Sequence, residues 1–115
     1  MGIWANIGKY EDVKLSGLMM HCLANLSLRG RMPNIRWEIM SDGTRVLLDD
    51  VVILSRDDIL RLAAEMWRGI AGCGDYYAHQ PLTLQALYGL SADSRKLTAL
   101  VEWLQLTNEQ ELVFR

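Results

Sequence analysis

The sequence predicts an α+β fold, in which a small antiparallel sheet packs against helices. Residues 35–48 alternate apolar and polar side chains around an Asp-Gly turn, a pattern that is typical of a β-hairpin. Residues 11–28 and 55–70 instead repeat apolar side chains at helical spacing. We therefore expect a hairpin with one or two further short strands, an N-terminal helix, a central helix and a C-terminal helical pair.

The N-terminal helix is expected to run from about Glu11 to Leu28, with Gly30 as its terminator. Gly17 lies inside this range, where a glycine costs a helix about 1 kcal/mol relative to alanine. The apolar positions nevertheless share one face, and they comprise Leu15, Leu18, Met19, Cys22, Leu23 and Leu26.

The hairpin is expected to be half-buried, because Ile35, Trp37 and Ile39 alternate with more polar side chains in its first strand. The opposite face of that strand carries Arg36, Glu38 and Met40. The apolar residues 51–54 either continue the return strand past a bulge at residues 49–50 or form a third strand after a tight turn. We favour the third strand.

The central helix has a clear start signal. Ser55 is a good N-cap, and Asp58 stands three residues later, as in a capping box. Gly72 is expected to end this helix. Its buried face is predicted to comprise Ile59, Leu62, Ala63, Met66, Trp67 and Ile70.

Two C-terminal helices are predicted, at about Leu82–Tyr88 and Ala92–Leu106, joined at residues 89–91. They do not fit a DNA-binding helix-turn-helix, because Arg95 and Gln85 stand where that motif needs an apolar and a small residue. We expect an ordinary helical hairpin that closes the core. The final residues, Glu-Leu-Val-Phe-Arg, are predicted to add one short strand.

Length and charge restrict the class of protein. The 115 residues predict one globular domain, 1–115, which is large enough to fold without a metal or a disulfide. The net charge of -2 excludes the strongly basic class of nucleic-acid-binding domains. Apolar runs are shorter than the roughly 18 residues of a membrane span, and the N-terminal residues do not resemble a secretory leader. We expect a cytoplasmic protein with no membrane partner.

Four aspartates in the segment Leu47–Asp58 raise the question of a metal site. Asp57 and Asp58 fall in the first turn of the central helix, where the helix dipole favours negative charge. Asp49 and Asp50 fall where a turn or bulge is needed, and aspartate suits both. Because the ligand spacing of a calcium loop is missing, we predict structural roles for all four and no metal or cofactor.

Cys73, Asp75 and His79 are the sharpest catalytic candidates. A thiol beside an imidazole can act as a nucleophile, because the imidazole accepts the thiol proton. Cys73 follows a helix C-terminus, however, and that end of the helix dipole raises a thiol pKa, which disfavours catalysis. Cys22 is expected in the core and His21 on the surface. The two cysteines and two histidines lack the paired ligand spacing of a zinc site.

Arg29, Arg31 and Arg36 cluster between the first helix and the hairpin, next to Trp37. Guanidinium groups bind phosphates, and bases stack on tryptophan. Weak nucleic-acid or anion binding is therefore one alternative function, although the overall charge makes a nucleic-acid partner the less favoured one.

The placement of Met40 points to another function. It shares the polar face of its strand with Arg36 and Glu38, and methionine outside an apolar stripe often marks a contact surface. We expect a small non-catalytic protein-binding or regulatory module, as in many small bacterial accessory proteins, that contacts another protein or itself as a homodimer. A thiol-dependent enzyme using Cys73 and His79 remains the other alternative. The predicted binding residues are Arg29, Arg31, Arg36, Trp37, Glu38 and Met40.

Overall fold

The computed structural model describes residues 3–8, 12–72, 75–78 and 81–115, and it has the predicted α+β class. In chain order the elements are β1 (Trp4–Ala5), β2 (Val13–Lys14), α1 (Gly17–Leu28), β3 (Trp37–Ile39), β4 (Arg45–Leu47), β5 (Val52–Ser55), α2 (Arg56–Ile70), α3 (Asp75–Ala78), α4 (Leu84–Leu106) and β6 (Glu111–Phe114).

The strands of the described residues pair antiparallel, as β1–β2, β3–β4 and β5–β6. The hairpin, the favoured third strand and the C-terminal strand are thus confirmed, while β1–β2 was not predicted. Trp4 also exchanges backbone hydrogen bonds with Arg115, at N–O distances of 2.9 and 2.8 Å. This exchange joins β1 to the end of β6.

The core lies between the β5–β6 pair and helices α1, α2 and α4. One face of the pair is buried, and it carries Val52, Leu54, Leu112 and Phe114. The helices cover that face, because each has an apolar stripe at helical spacing. Their most buried side chains include Leu18, Met19, Leu23, Ile59, Leu62, Met66 and Leu100.

The start of α2 confirms the predicted capping box. The backbone N–H of Asp58 donates to Ser55 Oγ, and the backbone N–H of Ser55 donates to Asp58 Oδ2, each at 3.2 Å. Arg56 then reaches across to the end of α4, where its guanidinium donates to the carbonyls of Thr107 and Glu109 at 3.1 and 2.8 Å. The cap therefore fixes the entry from β5 into α2, and Arg56 fixes the contact with the end of α4.

Helix α1 starts later than predicted, at Gly17 and not near Glu11. Gly17 has a φ of +58°, which breaks a right-handed helix and which L side chains rarely adopt. A Cβ at this position would also lie 3.2 Å from Asp93 Oδ1. The glycine is a start signal here, and the preceding residues form β2 instead of a helical turn.

The C-terminal helical hairpin was a wrong prediction, because α4 continues unbroken through residues 89–91. A glycine inside a helix costs about 1 kcal/mol, and burial of the downstream face outweighs this. That face includes Ala99, Leu100 and Trp103. The prediction for Trp67 was also wrong: it is 60% exposed at the edge of the α2 stripe.

Candidate functional site

The β3–β4 hairpin presents one solvent-facing surface, which we call the outer face. The register sets Glu38 opposite Val46, and the same alternation places Arg36 beside Leu48. The face therefore carries Arg36, Glu38, Met40, Val46 and Leu48. All five side chains are exposed.

The apolar part of the outer face is larger than the sequence indicated. Met40, Val46 and Leu48 are 46%, 43% and 48% exposed. The sequence did not assign Val46 and Leu48 to this face, because residues 46–48 are all apolar and lack the alternation that distinguishes the two faces of a strand. Beyond each other, β3 and β4 make few contacts with the other elements, so the strand pair lies at the margin of the core.

The inner face of the hairpin anchors it to the body. Trp37 and Leu47 are directly opposite each other, partly buried, and packed against the core. Arg45 Nη1 donates to Asn25 Oδ1 on α1 at 3.2 Å. Ile39 continues this face beyond the helix and is 63% exposed, so the half-buried strand predicted from the alternation is buried only at its first half.

The three predicted arginines do not form one cationic site. Arg29 pairs with Glu65 on α2 at 3.1 Å, whereas Arg36 pairs with Asp49 just after β4. The hydrogen bond from Arg36 lowers the pKa of Asp49, so this carboxylate stays charged beside the guanidinium. Arg31 is exposed. Two of the three cations are thus already compensated by carboxylates in different parts of the fold.

The four aspartates occupy positions that the fold itself explains. Asp58 completes the α2 cap, and Asp57 lies in the same first turn. Asp49 pairs with Arg36, and Asp50 lies in the bend that leads into β5. Within the described residues, no three side chains of the histidine, cysteine, aspartate or glutamate type gather as a metal site would require.

The predicted thiol site cannot be assembled from the described residues. Cys73 and His79 lie outside them, and Asp75 is described only as the first backbone position of α3. Cys22 is buried in the core, as expected, and burial raises the pKa of its thiol to about 12. His21 is half-buried, not fully on the surface, and its Nε2 lies 3.1 Å from Asn25 Nδ2.

Sequence reasoning missed a polar cluster at the junction of α1, α3 and α4. The hydroxyl of Tyr77 donates to Asp93, which is buried, and Lys96 Nζ donates to Ser16 Oγ at 2.9 Å. Burial lowers the pKa of Lys96 and is also the largest cause of a raised pKa of Tyr77. The cluster joins three helices across a cleft of about 450 Å³. Tyr77 and Asp93 are 16 residues apart in the sequence, and Lys96 and Ser16 are 80 residues apart, so no local motif connects the bonded partners.

A comparison of this chain with protein-family models, with curated proteins and with solved structures found no match. Among the described residues, no helix combines the length and the apolar character needed to cross a bilayer. Any functional inference therefore depends on the geometry itself.

Proposed function

We propose that this chain is a small non-catalytic protein-binding module that contacts its partner through the outer face of the β3–β4 hairpin. The observation that carries the proposal is the exposure of Met40, Val46 and Leu48 on one face. Exposed apolar side chains that adjoin one another often mark a protein contact. Apolar side chains ringed by charged ones, here Arg36 and Glu38, are the usual composition of such a surface.

The ion pair between Arg36 and Asp49 supports the same proposal. It holds a long side chain at the edge of the outer face, and a guanidinium already held in place loses less freedom on binding. It also neutralises one of the cations that a nucleic-acid site would need. Protein binding is therefore favoured over nucleic-acid or anion binding through Arg29, Arg31 and Arg36.

Other exposed apolar side chains occur near the start of α4, namely Leu82, Leu84, Leu87 and Tyr88. We assign the contact to the hairpin, because its exposed apolar side chains adjoin the charged side chains of Arg36 and Glu38 on one face. A cytoplasmic location is part of the proposal, and the free, buried thiol of Cys22 supports it, because reduced cysteines are usual there.

The test is affinity capture from lysate of the source cell, with three tagged forms: the natural sequence, Val46→Asp, and Leu106→Asp. Leu106 is an exposed leucine at the far end of α4 and serves as the matched control. We expect a stoichiometric protein that survives nuclease treatment, binds the natural sequence and the Leu106 variant, and is lost with the Val46 variant.

Two results would contradict the proposal. A partner recovered equally by all three forms would place the contact elsewhere. A partner lost on nuclease treatment, together with binding that weakens steeply with salt, would move the function to the arginines.

A further inference from the structure

We propose that the free edge of β3 pairs antiparallel with β3 of a second copy of this chain, about a two-fold axis at Trp37. This inference goes beyond the proposed function, because it concerns the strand edge and leaves the outer face accessible to another partner.

The free edge follows from the hydrogen bonds of the hairpin. Leu48 N–H donates to the carbonyl of Arg36 at 3.1 Å, and Met40 N–H donates to the carbonyl of Thr44 at 2.7 Å. Backbone groups of alternate residues point to opposite edges of a strand, so the N–H and C=O groups of Trp37 and Ile39 point away from β4. Within the described part of the chain, β3 is hydrogen-bonded to β4 alone.

The side chains along this edge are complementary to their own reverse. The segment reads Ile-Arg-Trp-Glu-Ile over residues 35–39. Antiparallel pairing about Trp37 sets Arg36 opposite Glu38 of the partner subunit, and Glu38 opposite Arg36 of the partner subunit. It also sets Ile35 opposite Ile39 of the partner subunit. The Ile35 N–H already donates to the carbonyl of Met32 at 3.3 Å, so Ile35 offers only its carbonyl to this pairing. Opposite charges and apolar side chains that face each other across strands stabilise a pairing.

Neighbouring registers lose this complementarity. Only alternate residues of β3 direct their backbone groups to the free edge, and each of these must face another such residue on the second strand. The two-fold axis therefore passes through a residue position and not between two residues. An axis at Arg36 opposes two arginines, and an axis at Glu38 opposes two glutamates, both of which are unfavourable. Only the register centred on Trp37 places both Arg36 and Glu38 opposite a side chain of the opposite charge. The sequence itself thus selects one register.

Exposure along the edge agrees with this register. Ile39 is 63% exposed in the single chain, and the pairing covers it with Ile35 of the partner subunit. Arg36 keeps its contact with Asp49 while its side chain is 69% exposed, and a guanidinium has five donors, so a second carboxylate can bind. The result is a four-stranded sheet in which the two outer faces become one surface.

The test is analytical ultracentrifugation of the purified full chain from about 1 µM to about 100 µM, which detects dissociation constants in the micromolar range. The variants are Arg36→Glu, Glu38→Arg and their equimolar mixture, with Arg95→Glu on α4 as the control charge reversal. Circular dichroism first establishes that each variant is folded.

We expect the natural chain and the Arg95 variant to dimerise. Each hairpin variant alone opposes like charges at both pairs, and we expect its dimer dissociation constant to rise at least about tenfold. The mixture restores opposite charges at both pairs and is expected to form heterodimers. Arg36→Glu also removes the contact with Asp49 inside its own chain. That contact is still missing in the mixture, so recovered dimerisation there cannot come from it.

Three results would overturn the pairing: a natural chain that stays monomeric, hairpin variants that dimerise as well as it does, or a mixture that does not recover. These outcomes are separate from the lysate test. A monomer that still captures a protein through Val46 would leave the proposed function standing and remove only the pairing of β3 edges.

Discussion

The strand pairs β5–β6 and β3–β4 are both short and antiparallel, yet they differ in what lies beneath them. The first pair has α2 packed against it, and its four inward side chains are buried. The second contacts the body through Trp37 and Leu47, and most of its other side chains are exposed. Strand pairing alone therefore does not bury apolar residues. Those that remain exposed on the hairpin contribute little to the core and are available for contact.

The largest expected effect comes from the buried pair. Phe114 is 0% exposed, and Phe114→Ala should lower the free energy of unfolding by about 3–5 kcal/mol, because it leaves a cavity in the core. Val46→Ala on the outer face should change it by less than about 0.5 kcal/mol. Urea denaturation at low protein concentration measures both. Similar losses for the two variants would show that the hairpin is part of the core.

Alkaline pH should destabilise the helical core that contains Cys22. The thiol of Cys22 ionises near pH 9.0 when exposed and near pH 12 when folded, so the folded state keeps a proton that the unfolded state loses. Stability is therefore complete below pH 9 and falls as the pH rises towards 12. Tyr77, whose pKa is also raised, acts in the same direction, whereas the lowered pKa of Lys96 opposes it.

Cys22→Ala should flatten this alkaline decline, as followed by urea titrations at stepwise pH. An unchanged slope in the variant would mean that other groups cause it. The hairpin side chains Arg36 and Asp49 keep their charges in this range, so amide exchange in β3 and β4 should respond less than exchange in β5 and β6.

The cap between β5 and α2 gives a smaller effect. Ser55→Ala should cost about 1 kcal/mol, because the backbone N–H of Asp58 loses its acceptor. Ser55→Asp keeps an acceptor at the same place and should retain most of the stability. If both variants lose equally, the serine stabilises the chain through β5 and not through the helix.

The smallest effect is expected at acid pH, and it concerns the hairpin. Hydrogen bonds from Thr44 lower the pKa of Asp42, and the bond from Arg36 lowers that of Asp49. These contacts stabilise the hairpin above the ordinary pKa of 3.8 and are lost as the pH falls through the lower folded values. Amide exchange at Thr44 should quicken there before exchange in β5 does, and simultaneous loss would contradict a separable hairpin.

Local signals in the sequence predicted the elements that local physics determines. The capping box at Ser55 and the Asp-Gly turn each lie within a few residues, and both elements were found. The predictions failed where distant residues decide. A side chain at Gly17 would meet Asp93 on α4, and the break predicted at residues 89–91 is overridden by burial further along α4.

The candidate site was predicted in part for the same reason. Alternation in β3 identified Arg36, Glu38 and Met40 as one face, because neighbours in a strand determine it. The addition of Val46 and Leu48 required the pairing with β4 and the lack of a layer over that face. The Tyr77–Asp93 and Lys96–Ser16 contacts depend on how three helices meet, which no short stretch of sequence encodes.

The exchange of hydrogen bonds between Trp4 and Arg115 has a consequence for the order in which the chain can fold during synthesis. Residues 111–115 supply the strand partner of β5 and also the anchor of β1. A ribosome-bound chain that has reached only residue 110 holds β5 without its strand partner and β1 paired with β2 alone, and its core lacks Leu112 and Phe114. Completion of the core must therefore wait until β6 leaves the exit tunnel, which makes folding of this domain a late and concerted event.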